Sequence, residues 1–273
     1  MEELARIEAK LQSLSELEEL VGALRSMAAS RAREAQAAFT GTRSYRETVE
    51  GAIAVIAPLV PSRPAPGAGE HMLIVVTSEN GFVGGFNNRL VERAARLRQE
   101  GERLILVGRR GQVAAAERGM EPDRVFGMTS RAGGVTALAR RIAAGVKGAG
   151  AVRLLYAGHR PGAAFEIEEK PVLPLDEARQ KGAVPPVPPL FQLPPETLLE
   201  RLSWEYLFAE IAAALMESLA SENGARLRTM DAAARNIEDR LEKLRREEQM
   251  ARQEETTADM LDVVIGAEAV NHG

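Results

Sequence analysis

The run ARLRTMDAAARNIEDRLEKL (225–244) places apolar residues at Leu227, Met230, Ala234, Ile237, Leu241 and Leu244, in steps of 3, 4, 3, 4 and 3. A mean spacing near 3.5 residues draws a narrow stripe along an α-helix, and a stripe that narrow is buried by one other helix. The opposite end of the chain repeats the pattern at Leu4, Ile7, Leu11, Leu14, Leu17, Val21, Leu24 and Ala28, in steps of 3, 4, 3, 3, 4, 3 and 4. The expected seam therefore contains Leu14, Leu17, Val21 and Leu24 on one side and Leu227, Met230, Ile237, Leu241 and Leu244 on the other. Charges fill the positions between, with Glu2/Arg6, Asp239/Lys243 and Glu242/Arg246 at i,i+4, a spacing suited to solvated helix faces.

Proline placement extends this reading to the whole chain. All 14 prolines lie between Pro58 and Pro195. A proline inside a helix costs about 3 kcal/mol, so proline-free ends around a proline-containing middle predict two long terminal helices. The first spans about Glu2 to Ala57, on the order of 80 Å, and the second about Thr197 to Ile265, on the order of 100 Å. One chain supplies both, so they are expected to pair antiparallel, with the longer second helix projecting past the first. Gly22, Gly41 and Gly51 weaken the first helix by up to about 1 kcal/mol each, which suggests close helix approach or a local bend.

Between them the pattern alternates. Met72–Thr77 (MLIVVT), Arg103–Val107 (RLILV) and Val152–Ala157 (VRLLYA) read as buried strands. Arg89–Gln99, Gln112–Arg118 and Val135–Val146 read as helices, and Phe165–Leu175 as an extended edge segment. Strands alternating with helices imply a parallel or mixed sheet in a three-layer, Rossmann-like arrangement. The stretch 171–195 carries eight prolines and reads as an extended linker. The expected fold class is α/β: a long antiparallel coiled coil of the N- and C-terminal helices plus a Rossmann-like three-layer domain. Its segments are 1–58 (helix), 70–176 (α/β domain), 177–196 (linker) and 197–270 (helix).

Composition narrows the function classes. With 35 Lys+Arg against 39 Asp+Glu the formal net charge is −4, which gives no reason to expect nucleic-acid binding. There is no cysteine, which excludes disulfides, thiolate metal sites and cysteine nucleophiles. No apolar run approaches the roughly 20 residues of a membrane span, and Met1 is followed by Glu2 and Glu3 rather than a signal-peptide core. The turn Ser78–Asn88 (SENGFVGGFNN) is glycine-rich, and backbone N–H groups ahead of a helix bind anions. Yet neither GxGxxG nor GxxxxGK[ST] is present and the turn has no lysine, so Gly81, Gly84 and Gly85 are expected to serve a tight turn. His71, His159 and His272 lie far apart and form no HExxH. No catalytic residue, metal site or bound cofactor is expected. Three functions fit such a chain: a mechanical coupling element, a nucleotide- or phosphate-binding enzyme with a helical handle, and a self-associating scaffold.

The residues carry a resemblance that separates these. LEELVGALRSMAASRAREAQ (17–36) resembles the opening helix of the γ subunit of F-type ATP synthases. IVVTSENGFVGGFNN (74–88) resembles that family's strand and S-D-x-G-L-C-G-G-x-N turn. ESLASENGARLRTMDAAARNIEDRLEKL (217–244), then ARQEETTADMLDVVIGAEAV (251–270), resembles its S-E-x-x-A-R-x-x-A-M-x-x-A-x-x-N block, followed by R-Q-x-x-I-T-x-E and I-V-S-G-A. The order matches along nearly the whole chain. Departures are Glu79 for Asp, Asn80 for a basic or polar residue, Val83 for Cys, Gly22 for Lys, Leu24 for Met, Thr256 for Ile, and Ile265-Gly266-Ala267 for S-G-A. The LxxLVxALRSMAA and RNIEDRLEKL stretches look more like the γ subunit of the alternative N-type branch, some of which is thought to move Na⁺.

The resemblance implies a non-catalytic, bacterial rotor subunit, peripheral at the cytoplasmic face of the inner membrane. Its partners would be three α and three β subunits, an ε subunit and the membrane c-ring, with H⁺ or Na⁺ as the coupling ion. It implies β-subunit contacts at Arg252, Gln253, Thr257, Asp259 and Arg25, with Asn80 weakening a second contact. It also implies an apolar tip of Met260, Leu261, Val263 and Val264 set in a hydrophobic sleeve.

Overall fold

The computed structural model describes residues 2–60, 69–160, 164–175 and 190–271. The terminal helices are α1 (Glu2–Ile56) and α5 (Pro195–Asn271). Between them lie β1 (His71–Val76), α2 (Phe86–Leu97), β2 (Arg103–Val107), α3 (Arg109–Ala116), β3 (Arg124–Phe126), α4 (Val135–Gly145), β4 (Ala151–His159) and β5 (Phe165–Leu173). The chain divides into two compact units, Met1–Met27 with Thr229–Gly273, and Ala28–Arg228. Each terminal helix supplies residues to both.

The larger unit holds one five-stranded sheet in the order β3-β2-β1-β4-β5. The first four strands are parallel and β5 runs antiparallel to β4 on the edge. Side chains alternate across the sheet, so Leu73, Val75, Leu104 and Leu106 face one way and Met72, Ile74, Val76, Ile105 and Val107 the other. The first set packs against Phe86, Leu90, Val91 and Ala94 of α2 and Ala114 and Ala115 of α3. The second packs against Leu138, Ala139 and Ile142 of α4, Val49 and Ile53 of α1, and Leu207, Ile211, Leu215 and Leu219 of α5. Stretches of both terminal helices therefore complete the third layer, antiparallel to one another: Arg46 lies 4.0 Å from Glu210, while Ala29 and Arg33 line a groove with Gly224 and Leu227.

The sequence expectations need four corrections here. The short strand β3, paired to β2 through Leu106↔Val125, has too few apolar residues to stand out in the pattern. Helix α2 starts at Phe86 rather than Arg89, because Gly85 already takes the position before the first turn. The 171–195 stretch is not all linker: Pro171, Val172 and Leu173 belong to the edge strand, where a missing N–H is tolerated, and Pro195 opens α5. Residues 177–189 of the expected linker lie outside the described residues. Nor do Gly22, Gly41 and Gly51 mark close approach, since a Cβ at any of them would meet nothing within 4 Å.

The smaller unit is an antiparallel helix pair. Arg25 pairs with Asp231 at 2.5 Å, and Glu8 accepts from Arg252 at 3.2 Å. Ile7 at 7 %, Met230 at 3 % and Leu241 at 3 % exposure form its dry line. Leu14, Val21, Leu24, Ile237 and Leu244 are half-buried. Leu17 is the exception, 48 % exposed.

Candidate functional site

The carboxyl end of a parallel sheet, where neighbouring strands lead to opposite faces, is where α/β proteins bind ligands. Here that point lies between β1 and β4, and α5 occupies it. The Ala157 N–H donates to Ser218 Oγ at 3.1 Å, and Ser221 Oγ donates to the Ala157 carbonyl at 2.9 Å. One turn on, Glu222 and Arg226 form a buried ion pair of 2.7 Å with 4 % and 8 % side-chain exposure. The Arg226 guanidinium donates to the carbonyls of Gly81 at 3.2 Å and Asn80 at 3.3 Å, and to Asn223 Oδ1 at 3.0 Å. These are the Ser, Glu, Ala and Arg of the 221–226 run. Sequence reading saw them as a signature; the structure gives them a physical task, which is to bolt α5 to the turn after β1.

The turn is held from within as well. Ser78 N–H donates to Asn87 Oδ1 at 2.9 Å, Asn87 Nδ2 donates to Ser78 Oγ at 2.8 Å, and Ser78 Oγ donates to the Asn80 carbonyl at 2.9 Å. Glu79 Oε2 accepts the backbone N–H groups of Met128 at 2.9 Å and Arg109 at 3.2 Å, tying three loops together. Asn80 faces its own domain, donating to Ser130 Oγ at 3.3 Å. Of the three turn glycines, only Gly84 has a positive φ, +57°. The second left-handed position is Phe82, φ +59°, whose ring is 66 % exposed. A glycine was needed in one place, not three. A closer constraint sits at Gly108, φ +101°, where a Cβ would meet the Ser78 and Thr77 carbonyl oxygens at 2.6 Å.

Burial pushes the Glu222 carboxyl up to about 7; Glu79 adds to the rise, while Arg226 and Arg31 oppose it. Through the Ser218, Ser221 and Arg226 contacts, α5 fills the crevice between β1 and β4, while Gly81, Gly84, Asn87 and Asn88 on the far side of the turn line an open cavity with Arg110 and Glu117. Among the described residues, no group of three or more His, Asp or Glu side chains could hold a metal ion.

The residues carried over as contact sites lie in the helix pair. Arg252, 61 % exposed, is held by Glu8 and by Glu248 at 2.7 Å. Gln253 and Thr257 line a shallow groove with Met250, Glu254, Ala258 and Leu261. Thr257 Oγ1 also donates to the Gln253 carbonyl at 2.7 Å. The Asp259 side chain lies outside the described residues. Arg25 is not brought to this group: its partner Asp231 is 21 residues, about 30 Å of helix, from Arg252. Met260, Leu261, Val263 and Val264 are 68, 56, 72 and 54 % exposed. The pairing of Glu8 with Arg252 brings α1 to its described start opposite about residue 258, so no described α1 residue lies across from these four. No helix among the described residues is long and apolar enough to cross a membrane.

Comparison with known proteins agrees with the geometry. The family model described as ATP synthase matches residues 3–270. The ATP synthase gamma chain of Gluconobacter oxydans is 28 % identical over 296 residues, covering 99 % of this chain and 100 % of that one. That of Granulibacter bethesdensis is 30 % identical over 302 residues, again covering 99 % and 100 %. Among solved structures, a chain of the Euglena gracilis mitochondrial ATP synthase superposes with a TM-score of 0.67 at 14 % identity, covering 99 % of this chain and 95 % of that one. Paired terminal helices, a sheet whose crevice is closed by α5 and a match over residues 3–270 place this chain in the ATP synthase gamma-chain family.

Proposed function

We propose that this chain is the central shaft of a bacterial F-type ATP synthase, turning inside a head of three α and three β subunits. The observation that carries the reading is the run of four exposed apolar residues, Met260, Leu261, Val263 and Val264, on a helix with no described α1 residue opposite. A face of that kind is stable only inside a partner, and a hydrophobic sleeve at the top of the head is such a partner. The shaft performs no chemistry. It favours a different β conformation on each side as it turns, which is coupling by differential contact. The α/β domain stands at the foot against an ε subunit and the c-ring, so that ion flow, of H⁺ or Na⁺, drives or is driven by rotation. The complex sits at the cytoplasmic face of the plasma membrane, and this chain is peripheral to it.

Arg252, Gln253, Thr257 and Asp259 form the contact with a β-subunit loop. Arg252 enters that contact by leaving Glu8, a surface pair worth at most about 1 kcal/mol, so the exchange is cheap. Arg25 makes a separate contact. Native mass spectrometry of the complex, purified gently through a tag on this chain, tests the assignment. One copy with three copies each of two nucleotide-binding chains is the expected composition. A homodimer, or the chain alone with a bound small molecule, refutes it.

A further inference from the structure

From Arg124 to Phe165 the sequence contains no Asp or Glu, yet it contains Arg124, Arg131, Arg140, Arg141, Lys147, Arg153 and Arg160. Arg153 and Arg160 reach carboxylates from outside the stretch, at Glu102 and Glu169 and at Glu166 and Glu168. The other five form no ion pair with a described residue. They surround α4. Arg131 precedes the helix, Arg140 and Arg141 stand on it, Lys147 follows it, and Arg124 donates to the Gly145 carbonyl at 3.3 Å at its last turn. All five are exposed.

The rest of α4 explains what such a face fits. Val135, Leu138, Ala139 and Ile142 are buried against the sheet. The outward positions between the cations are Thr136, Ala137 and Ala144, all exposed and all small. The result is a low surface edged by cations: Arg140 lies over the Phe208 ring at 5.5 Å and Arg124 over the Phe126 ring at 5.9 Å, and none of the five forms an ion pair with a described residue. Some arginines elsewhere in the domain are matched: Arg103 has Glu70 at 2.8 Å and Asp123 at 3.2 Å. We infer that the outer face of α4 is a docking surface for an acidic protein segment. Four of the five cations are arginine, whose planar fork pairs with carboxylates in two-point fashion. The face offers no aromatic or large aliphatic side chain to enter a bilayer, which favours protein carboxylates over anionic lipid. The inference stands on charge and relief, and it does not require the shaft reading.

The test uses the full chain and two double charge reversals of equal net effect. One is Arg141→Glu with Lys147→Glu on the α4 face; the other is Arg93→Glu with Arg118→Glu, exposed positions on α2 and just past α3. Poly-L-glutamate and vesicles containing 30 mol% phosphatidylglycerol, roughly physiological for an anionic bacterial membrane, are titrated against each at fixed low salt. The expected result is at least about tenfold weaker poly-L-glutamate binding for the α4 pair only, since two charge reversals each worth about 1 kcal/mol reach that range. Equal losses in both variants, no loss in either, or tighter binding to vesicles than to poly-L-glutamate overturns the inference. In the assembled complex, a photocrosslinking phenylalanine analogue in place of Ala137 should capture a segment rich in Asp and Glu. Capture of lipid, of an uncharged segment or of nothing overturns it as well. Co-purification of the head subunits with both charge variants is read separately, so failure of this docking face and failure of the shaft assignment are distinguishable.

Discussion

Removing the Arg226 guanidinium is the most informative single change. Arg226→Met keeps the aliphatic stem but leaves Glu222, 3 % exposed, without its cation and the Asn80 and Gly81 carbonyls without their donor. Breaking one side of a buried ion pair costs about 3–5 kcal/mol. The loss has a pH signature. The Glu222 carboxyl is raised from 4.5 to about 7 in the fold, so the native state holds a proton that the unfolded chain has released. Its contribution is full below about pH 4.5 and is lost as pH rises through about 7, a change of roughly 3 kcal/mol. Without Arg226 the carboxyl rises further, so the variant recovers stability at acid pH and loses it above neutrality. Glu222→Gln removes this titration. Because the native carboxyl is already half protonated near neutrality, it should cost only about 1 kcal/mol at pH 7. Trp204, the single tryptophan, stands on α5, packs against the core and reports unfolding of the larger unit by fluorescence. Urea titrations from pH 5 to 8 then give the comparison. An Arg226→Met cost under about 1 kcal/mol, or the same pH slope in wild type and Glu222→Gln, refutes the clamp as described.

Three further outcomes are expected. Alanine at Gly22, Gly41 and Gly51, where a Cβ meets open space, should each stabilise by about 1 kcal/mol, and a fall in the calorimetric midpoint for any of them would contradict the packing. Leu241→Asp puts a charge on a residue 3 % exposed and should cost about 3 kcal/mol or more, whereas Leu17→Asp, at 48 % exposure, should stay within about 0.5 kcal/mol; helical circular dichroism against temperature separates the two. Arg252→Ala should leave subunit assembly unchanged and lower ATP-driven ion pumping in reconstituted vesicles, and wild-type pumping in that variant would remove Arg252 from the coupling contact.

The two long helices were legible because proline avoidance and a 3–4 repeat are properties of the chain alone. The main strands were legible because four or more consecutive apolar residues need burial on both faces. What escaped was whatever depended on a neighbour. Leu17 fits the repeat by count, yet it stands 48 % exposed. Arg124–Phe126 becomes a strand only because β2 offers an open edge at Leu106, opposite Val125. Gly81 and Gly85 looked like turn residues, but Phe82 takes the left-handed position that a glycine was expected to fill. Glu222 and Arg226 are four residues apart on a helix and resemble a surface pair until the turn after β1 is known to close over them. The contact residues Arg252 and Arg25 were grouped by resemblance, and the distance along the helix pair parts them.

The way α5 completes the third layer bears on how the chain is made. Strand β4 ends at His159, but the α5 residues that cover its sheet, Leu207 through Leu219, emerge from the ribosome some 50 to 60 residues later. At about 5–20 residues per second, that leaves the face shared with α1 and α4 without its α5 cover for roughly 3–12 s during each round of synthesis. The apolar residues that α5 buries would be open to water, or to another nascent chain, for that interval. A chain released before residue 226 would also lack the arginine that closes the turn. Quality control acting on such fragments would have a simple criterion, an uncovered apolar sheet, and would meet it only in chains that never reached the second helix.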